Sequence, residues 1–177
     1  TAKDETELKT IAGSGAVSGN TGVGLTAAVE VVNKKASAIV GDDAKVTGSS
    51  LTVKAENTSS SETSAAGLGV GVGTAGLAGA ASETFVTHTT DAHVGKNTQV
   101  SAVNGVDILA HSNFTQRATA GSAGGGGTVG IGISNATVSL HAVTKAYADD
   151  DAVISGGNQV KISADHTTNL TYATVAG

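Results

Sequence analysis

Leu51-Thr52-Val53-Lys54-Ala55 returns as Val106-Asp107-Ile108-Leu109-Ala110 and again as Val160-Lys161-Ile162-Ser163-Ala164, at offsets of 55 and 54 residues. Working outward, Ala38-Ile39-Val40-Gly41 aligns with Ala92-His93-Val94-Gly95 and with Ala146-Tyr147-Ala148-Asp149, 54 residues apart each time. Val46, Val100 and Ile154 keep that step, and so do Gly13, Gly67 and Gly121. Ala2 falls on the phase of Ala55, Ala110 and Ala164. Agreement at apolar and Gly positions over a fixed period is the mark of a repeat architecture. The units run over residues 2–55, 56–110 and 111–164, and 165–177 begin a fourth, all within one elongated fragment.

Inside a unit the apolar period is two. Val129, Ile131 and Ile133 alternate with Gly130 and Gly132, and Leu68, Val70 and Val72 alternate with Gly. Ala136, Val138, Leu140 and Ala142, then Ala146 and Ala148, continue after a change of phase. Period two with Val, Ile and Thr is a strand pattern, and a helix needs three-to-four spacing. Turns are read at Gly41-Asp42-Asp43, Gly95-Lys96-Asn97, Gly48-Ser49-Ser50, Asn104-Gly105 and Gly156-Gly157-Asn158. The chain is all-β.

Stacking such units on their own copies predicts a parallel β-solenoid, or β-helix, whose coils hydrogen-bond one another about 4.8 Å apart. Val40 then lies over Val94, and Val46 over Val100 over Ile154. The tracts Gly67 to Gly79 and Gly121 to Gly132 let backbone approach backbone between two sheets. An array of small β-sandwiches is the alternative, each near the lower size limit for its own core. Fully extended, a unit spans roughly 180 Å, so it closes as one wide coil or as two to three narrow ones.

Composition narrows the classes. The 177 residues include no Pro, Cys, Met or Trp and only two Tyr and two Phe, against 25 Gly. A wide core built on aromatics is excluded, as are disulfides and Cys-ligated metals. The absence of Pro suits strands that donate to ladders on both sides. A net charge of −5 argues against nucleic acid as partner, since nothing releases counterions from phosphates. No apolar stretch approaches the roughly 18 residues of a membrane-spanning helix, so no membrane insertion of this segment is expected. The start at Thr1, without Met or a signal-peptide pattern, and the end at Gly177 are read as a piece of a longer chain.

The Gly-rich alternating tract that leads into Val31-Val32-Asn33-Lys34-Lys35-Ala36-Ser37-Ala38-Ile39-Val40-Gly41-Asp42-Asp43-Ala44-Lys45-Val46, followed by Leu51-Thr52-Val53-Lys54-Ala55, resembles the β-strand repeats of very large bacterial surface exoproteins. These are the filamentous-haemagglutinin-like and leukotoxin-type filamentous adhesins, and the resemblance covers essentially the whole chain. It implies a non-catalytic stalk or fibre segment at the bacterial cell surface or outside the cell, exported by two-partner secretion or autotransport. Its partners are then neighbouring repeats of the same long chain, with a host-cell or bacterial surface glycan or protein beside them. The third copy departs from the pattern, with Ala148-Asp149-Asp150-Asp151 in place of Val-Gly-Asp.

Residues that could carry chemistry give no catalytic, cofactor-binding or metal site. Asp149, Asp150 and Asp151, with Asp42 and Asp43 at the equivalent turn, offer oxygen ligands for Ca²⁺, but Lys96-Asn97 in the second copy spoils a repeated site. His111 and His166 lie in nearly the same phase, whereas His88 and His93 are read on opposite faces of a strand. Glu56, Glu62 and Glu83 are too scattered for the paired carboxylates of a polysaccharide-active β-helix enzyme. Gly121 to Gly127 lacks the Lys-Ser/Thr of a phosphate loop. An ice-binding Thr array fails because Asn33 and His141 are the equivalents of Thr87. If an outward face binds a glycan or matrix protein, the side chains that vary between copies are its candidates: Phe85, His93, Phe114, Tyr147 and Tyr172.

Overall fold

The computed structural model describes residues 1–177. Its strands are β1 (Ala2–Ser18), β2 (Thr21–Val40), β3 (Lys45–Gly71), β4 (Ala75–Val94), β5 (Gln99–Gly126), β6 (Val129–Ala148), β7 (Val153–Gly156) and β8 (Gln159–Ala176). They form two all-parallel sheets. Sheet A runs β1-β3-β5, with β7 and β8 both on β5, and sheet B runs β2-β4-β6. The fold is a parallel β-solenoid in which each coil is one strand of sheet A followed by one of sheet B. A unit is therefore one wide coil and not several narrow ones. Hydrogen bonds run from coil to coil: Ala2 pairs with Ala55, Ala55 with Ala110, and Ala110 with Ala164.

Two kinds of corner join the sheets. One has four residues in every coil, 41–44, 95–98 and 149–152. Its third residue is left-handed each time, with φ of 56° at Asp43, 52° at Asn97 and 58° at Asp151. Asp and Asn tolerate this region better than other side chains, because they hydrogen-bond locally. The other corner is shorter and was not expected, because it interrupts the glycine tracts at Gly19-Asn20, Val72-Gly73-Thr74 and Gly127-Thr128.

The register corrects several expectations. Val40 over Val94 and Val46 over Val100 over Ile154 hold. Gly13 and Gly121, however, both pair with Ala66, and Gly67 pairs with Ser122, so the three glycines do not share a column. Val103 and Asn104 of β5 stand against Ser49 alone in β3. This one-residue bulge persists in the offset as far as Gly126 and is absorbed at the short corner, which has one residue fewer in that coil. Gly48-Ser49-Ser50 and Asn104-Gly105 lie inside strands as this bulge, since a paired parallel neighbour holds the chain extended there.

Side-chain size falls across the coil. Beside the four-residue corner, Val53, Val94, Val100, Val106 and Ile108 form the main core with Ala38, Ala55, Ala92, Ala102 and Ala110. Further along, Val32, Val86 and Phe114 make a small second cluster, and Ala28, Ala65, Ala80 and Ala120 a third. At the short corner the inside is glycine, and a Cβ on Gly24 or Gly69 would overlap the carbonyl oxygen of Leu68 or Leu77 across the gap. The apparent phase change in β6 follows from this taper. Ile131 and Ile133 point out where the sheets touch, and Val138 and Leu140 point in where they separate.

Candidate functional site

Between the valine core and the alanine cluster the interior is polar. Asn57, Ser59, Ser61 and Thr63 continue the inward phase of Val53 and Ala55 along β3. Glu30 and Lys34 continue that of Ala28 and Val32 along β2 and are only 6 % and 7 % exposed. Burying these charges is tolerable only with partners. Lys34 forms an ion pair with Asp4 and bonds the Thr6 hydroxyl. The Glu30 carboxylate accepts hydrogen bonds from Thr10 Oγ1 at 2.9 Å and from Ser61. One coil further, Gln116 Nε2 donates to Thr84 Oγ1 at 3.1 Å and to Thr63 Oγ1 at 3.3 Å, and the two hydroxyls lie 2.7 Å apart.

His88 sits in the same inner column as Lys34, fully buried, with its ring edge-on to Phe114 at 5.1 Å. Neither ring nitrogen bonds a protein atom, nor does the Asn57 side chain. Burial pushes the His88 pKa down from 6.5, and the Lys34 and His166 charges add to this against a smaller opposing effect of Asp4. A depressed folded value means that the unfolded chain binds the extra proton first. Stability from a neutral His88 is thus complete above pH 6.5 and is lost as pH falls below it toward the folded pKa. Thermal melts at descending pH are expected to show this loss in the native chain and a clearly smaller one in His88→Leu. Equal losses in the two would mean that the ring is not held neutral.

The outer faces carry the other candidates. On sheet B, His93 stacks on Tyr147 at 4.8 Å with an interplanar angle of 11°, and His93 Nδ1 lies 2.9 Å from Asp91. Burial, then Asp91 and Asp149, raise the Tyr147 pKa above 10.0. Phe85 is exposed on the same face, two columns beyond Thr89. Phe114 is not on an outer face: it is wholly buried, because its phase in β5 is that of Val106 and Ile108. Tyr172 belongs to the inner column of Ala118 and is half-exposed only because no strand covers it.

His111 pairs with Asp165, and His166 with Ser112, so the two histidines stand on opposite sides of sheet A and do not meet. On the outer side, Lys3, Glu56, His111 and Asp165 form one column in which acids alternate with nitrogen-bearing side chains. Its lateral pair from Lys54 to Glu56, 2.6 Å long, lowers the Glu56 pKa. Glu62 is outward on sheet A and Glu83 outward on sheet B, so they share no space. No group of three or more His, Asp or Glu side chains gathers as metal ligands, and Asp42 and Asp150 turn instead to the Lys96 amide and ammonium.

The parity of Glu30 and Lys34 with Ala28, Val32 and Ala36 was the available signal for these two buried charges, and apolar matching between copies passes over it. No family model, curated protein or solved structure matches the chain.

Proposed function

We propose that the chain is a structural stalk or fibre segment of a bacterial surface-exposed or secreted adhesin, with no catalytic step of its own. The observation that supports this most is the direction of bonding. Of 118 backbone hydrogen bonds, 101 lie in the strand ladders, and these join coil to coil along one axis. Each added coil lengthens such a stack by about 4.8 Å and buries its neighbour's ladder. The main core runs unbroken through the coils beside the four-residue corner, which suits a stack that continues through further coils. In this reading the partners are adjoining repeats of the same long chain, and the place is the cell exterior.

Small-angle scattering on the fragment and on versions with coils added or removed tests it. The particle is expected to thicken along the stack by one coil spacing per coil at an unchanged coil width, with stability changing gradually. A thickness that does not follow the coil number would overturn it. A second reading, a glycan- or matrix-binding solenoid face, is favoured by the His93–Tyr147 stack beside Asp91 on exposed sheet B. Stacked rings next to a carboxylate offer a sugar both an apolar plate and a hydrogen-bond acceptor. Loss of binding at that one coil in Tyr147→Ala would separate the two readings.

A further inference from the structure

Charge is sorted along the width of the coil. Residues 10–29, 63–82, 118–144 and 166–177 contain no Asp, Glu, Lys or Arg. The first three of those stretches contain the glycine-filled end of their coils, and 166–177 leads toward it. With glycine inside, the large side chains of the same strands face outward. On sheet B, Val23, Leu77 and Ile131 form one outer column, and Leu25, Gly79 and Ile133 the next. Leu25 is 70 % and Ile133 68 % exposed. An apolar trough of about 580 Å³ lies between them. A contiguous apolar patch of this kind marks an interaction surface.

We infer that this face binds a second copy of the chain, sheet B against sheet B, about a two-fold axis. Hydrocarbon is the wrong occupant. The Asn135 amide lines the trough and the Glu83 carboxylate stands at its rim. Lipid cannot satisfy such groups, whereas a sheet laid face to face keeps them at a wet rim.

Charge fixes the orientation. Glu83, in the column of Val29 and Thr137, is the first charged side chain that β4 presents on this face, counting from the short corner. A parallel overlay would set Glu83 against Glu83 of the other copy. An antiparallel overlay of the two glycine ends keeps both carboxylates at the rim and sends the charged halves of the molecules in opposite directions.

Area sets the strength. From the corner to Glu83 the overlap is about ten residues, or about 33 Å, across three strands spanning about 14 Å. That is roughly 500 Å² per partner and about 1,000 Å² in all, the lower limit of a specific interface. An interface of this size belongs with weak, reversible associations.

Sedimentation of the whole chain from about 5 to about 500 μM tests the inference, which does not depend on the stalk reading. A monomer–dimer equilibrium with nothing larger is expected. Leu25→Lys combined with Ile133→Lys should weaken it at least tenfold with an unchanged far-ultraviolet spectrum, because both side chains already face water. Leu68→Lys, on the outer face of sheet A, should leave it intact. Monomer at every concentration, growth beyond two copies, dissociation by Leu68→Lys, or indifference to the double variant would overturn the proposal. So would uptake by phosphatidylcholine vesicles without self-association.

Discussion

Gly69→Ala is expected to destabilise the chain by about 3 kcal/mol or more, and Gly121→Ala to stabilise it by about 0.5 kcal/mol. The two glycines lie in neighbouring strands of one sheet, and neither has a positive φ. In an extended strand a methyl group ordinarily helps, because it narrows the unfolded ensemble more than it disturbs the folded one. At Gly121 nothing lies within 4 Å of the added Cβ, so only that benefit remains. At Gly69 the Cβ would fall on the carbonyl oxygen of Leu77 and crowd that of Gly22, both in sheet B. Backbone atoms on both sides cannot yield as a flexible side chain does. The sheets must part, which empties the thin interior beside the short corner. Denaturant titration of the two variants and the native chain gives both signs in one experiment. If both variants shifted the same way, the sheets would not be in backbone contact at the glycine end.

Val100→Asp is the second large effect, expected at about 4 kcal/mol or more and enough to leave the chain largely unfolded near neutral pH. Val100 is 3 % exposed, stacked between Val46 and Ile154 in the main core. An Asp there has no cation within the cluster, whose members are all Val, Ile or Ala. The charged form is penalised far more than the neutral acid, so acidification should recover part of the loss. Because each coil is stabilised by its neighbours, damage in an interior strand of sheet A should appear as reduced cooperativity of the whole melt. Circular dichroism during heating at two pH values checks all three statements. An unchanged melt would mean that Val100 faces water and that the strand parity is reversed.

The strand content, the parallel stacking and the valine columns were legible because apolar identity repeats where a side chain must sit on its own equivalent. Val46, Val100 and Ile154 carry that information directly. The coil's closure was not legible, because glycine has no side chain to declare a face. Gly67 to Gly79 reads as one tract, although the chain reverses between the sheets at Val72-Gly73-Thr74. The bulge at Val103-Asn104 misled the alignment of Gly67 with Gly121, and the register of β1 on β3, one residue short of the period, misled that of Gly13 with Gly67, since a one-residue slip is invisible among alternating glycines. Phe114 was placed outside for a related reason. It differs from its equivalents, Ser59 and Thr168, and variation between copies resembles surface variation until parity with Ile108 is followed through. The His93–Tyr147 stack is legible only once the one-coil offset is known, because the two residues are 54 apart in sequence.

The four-residue corner acts as a reader of its neighbour. Down the stack it presents Asp42-Asp43, then Lys96-Asn97, then Asp150-Asp151, and the backbone joins them through Asp43 N to Lys96 O at 2.8 Å and Asn97 N to Asp150 O at 3.2 Å. Coils about 4.8 Å apart cannot comfortably place like charges on each other. The middle corner answers each acid pair with a cation and an amide. A coil arriving on the Asp149–Asp151 side must therefore bring a lysine, or at least an amide, to the same place. The chain's own first corner, with Asp42 and Asp43, brings two more acids, so copies meeting end to end repel at the very point where their edges would join. Exposed strand edges invite uncontrolled polymerisation, and here the corner sequence screens which coils are admitted.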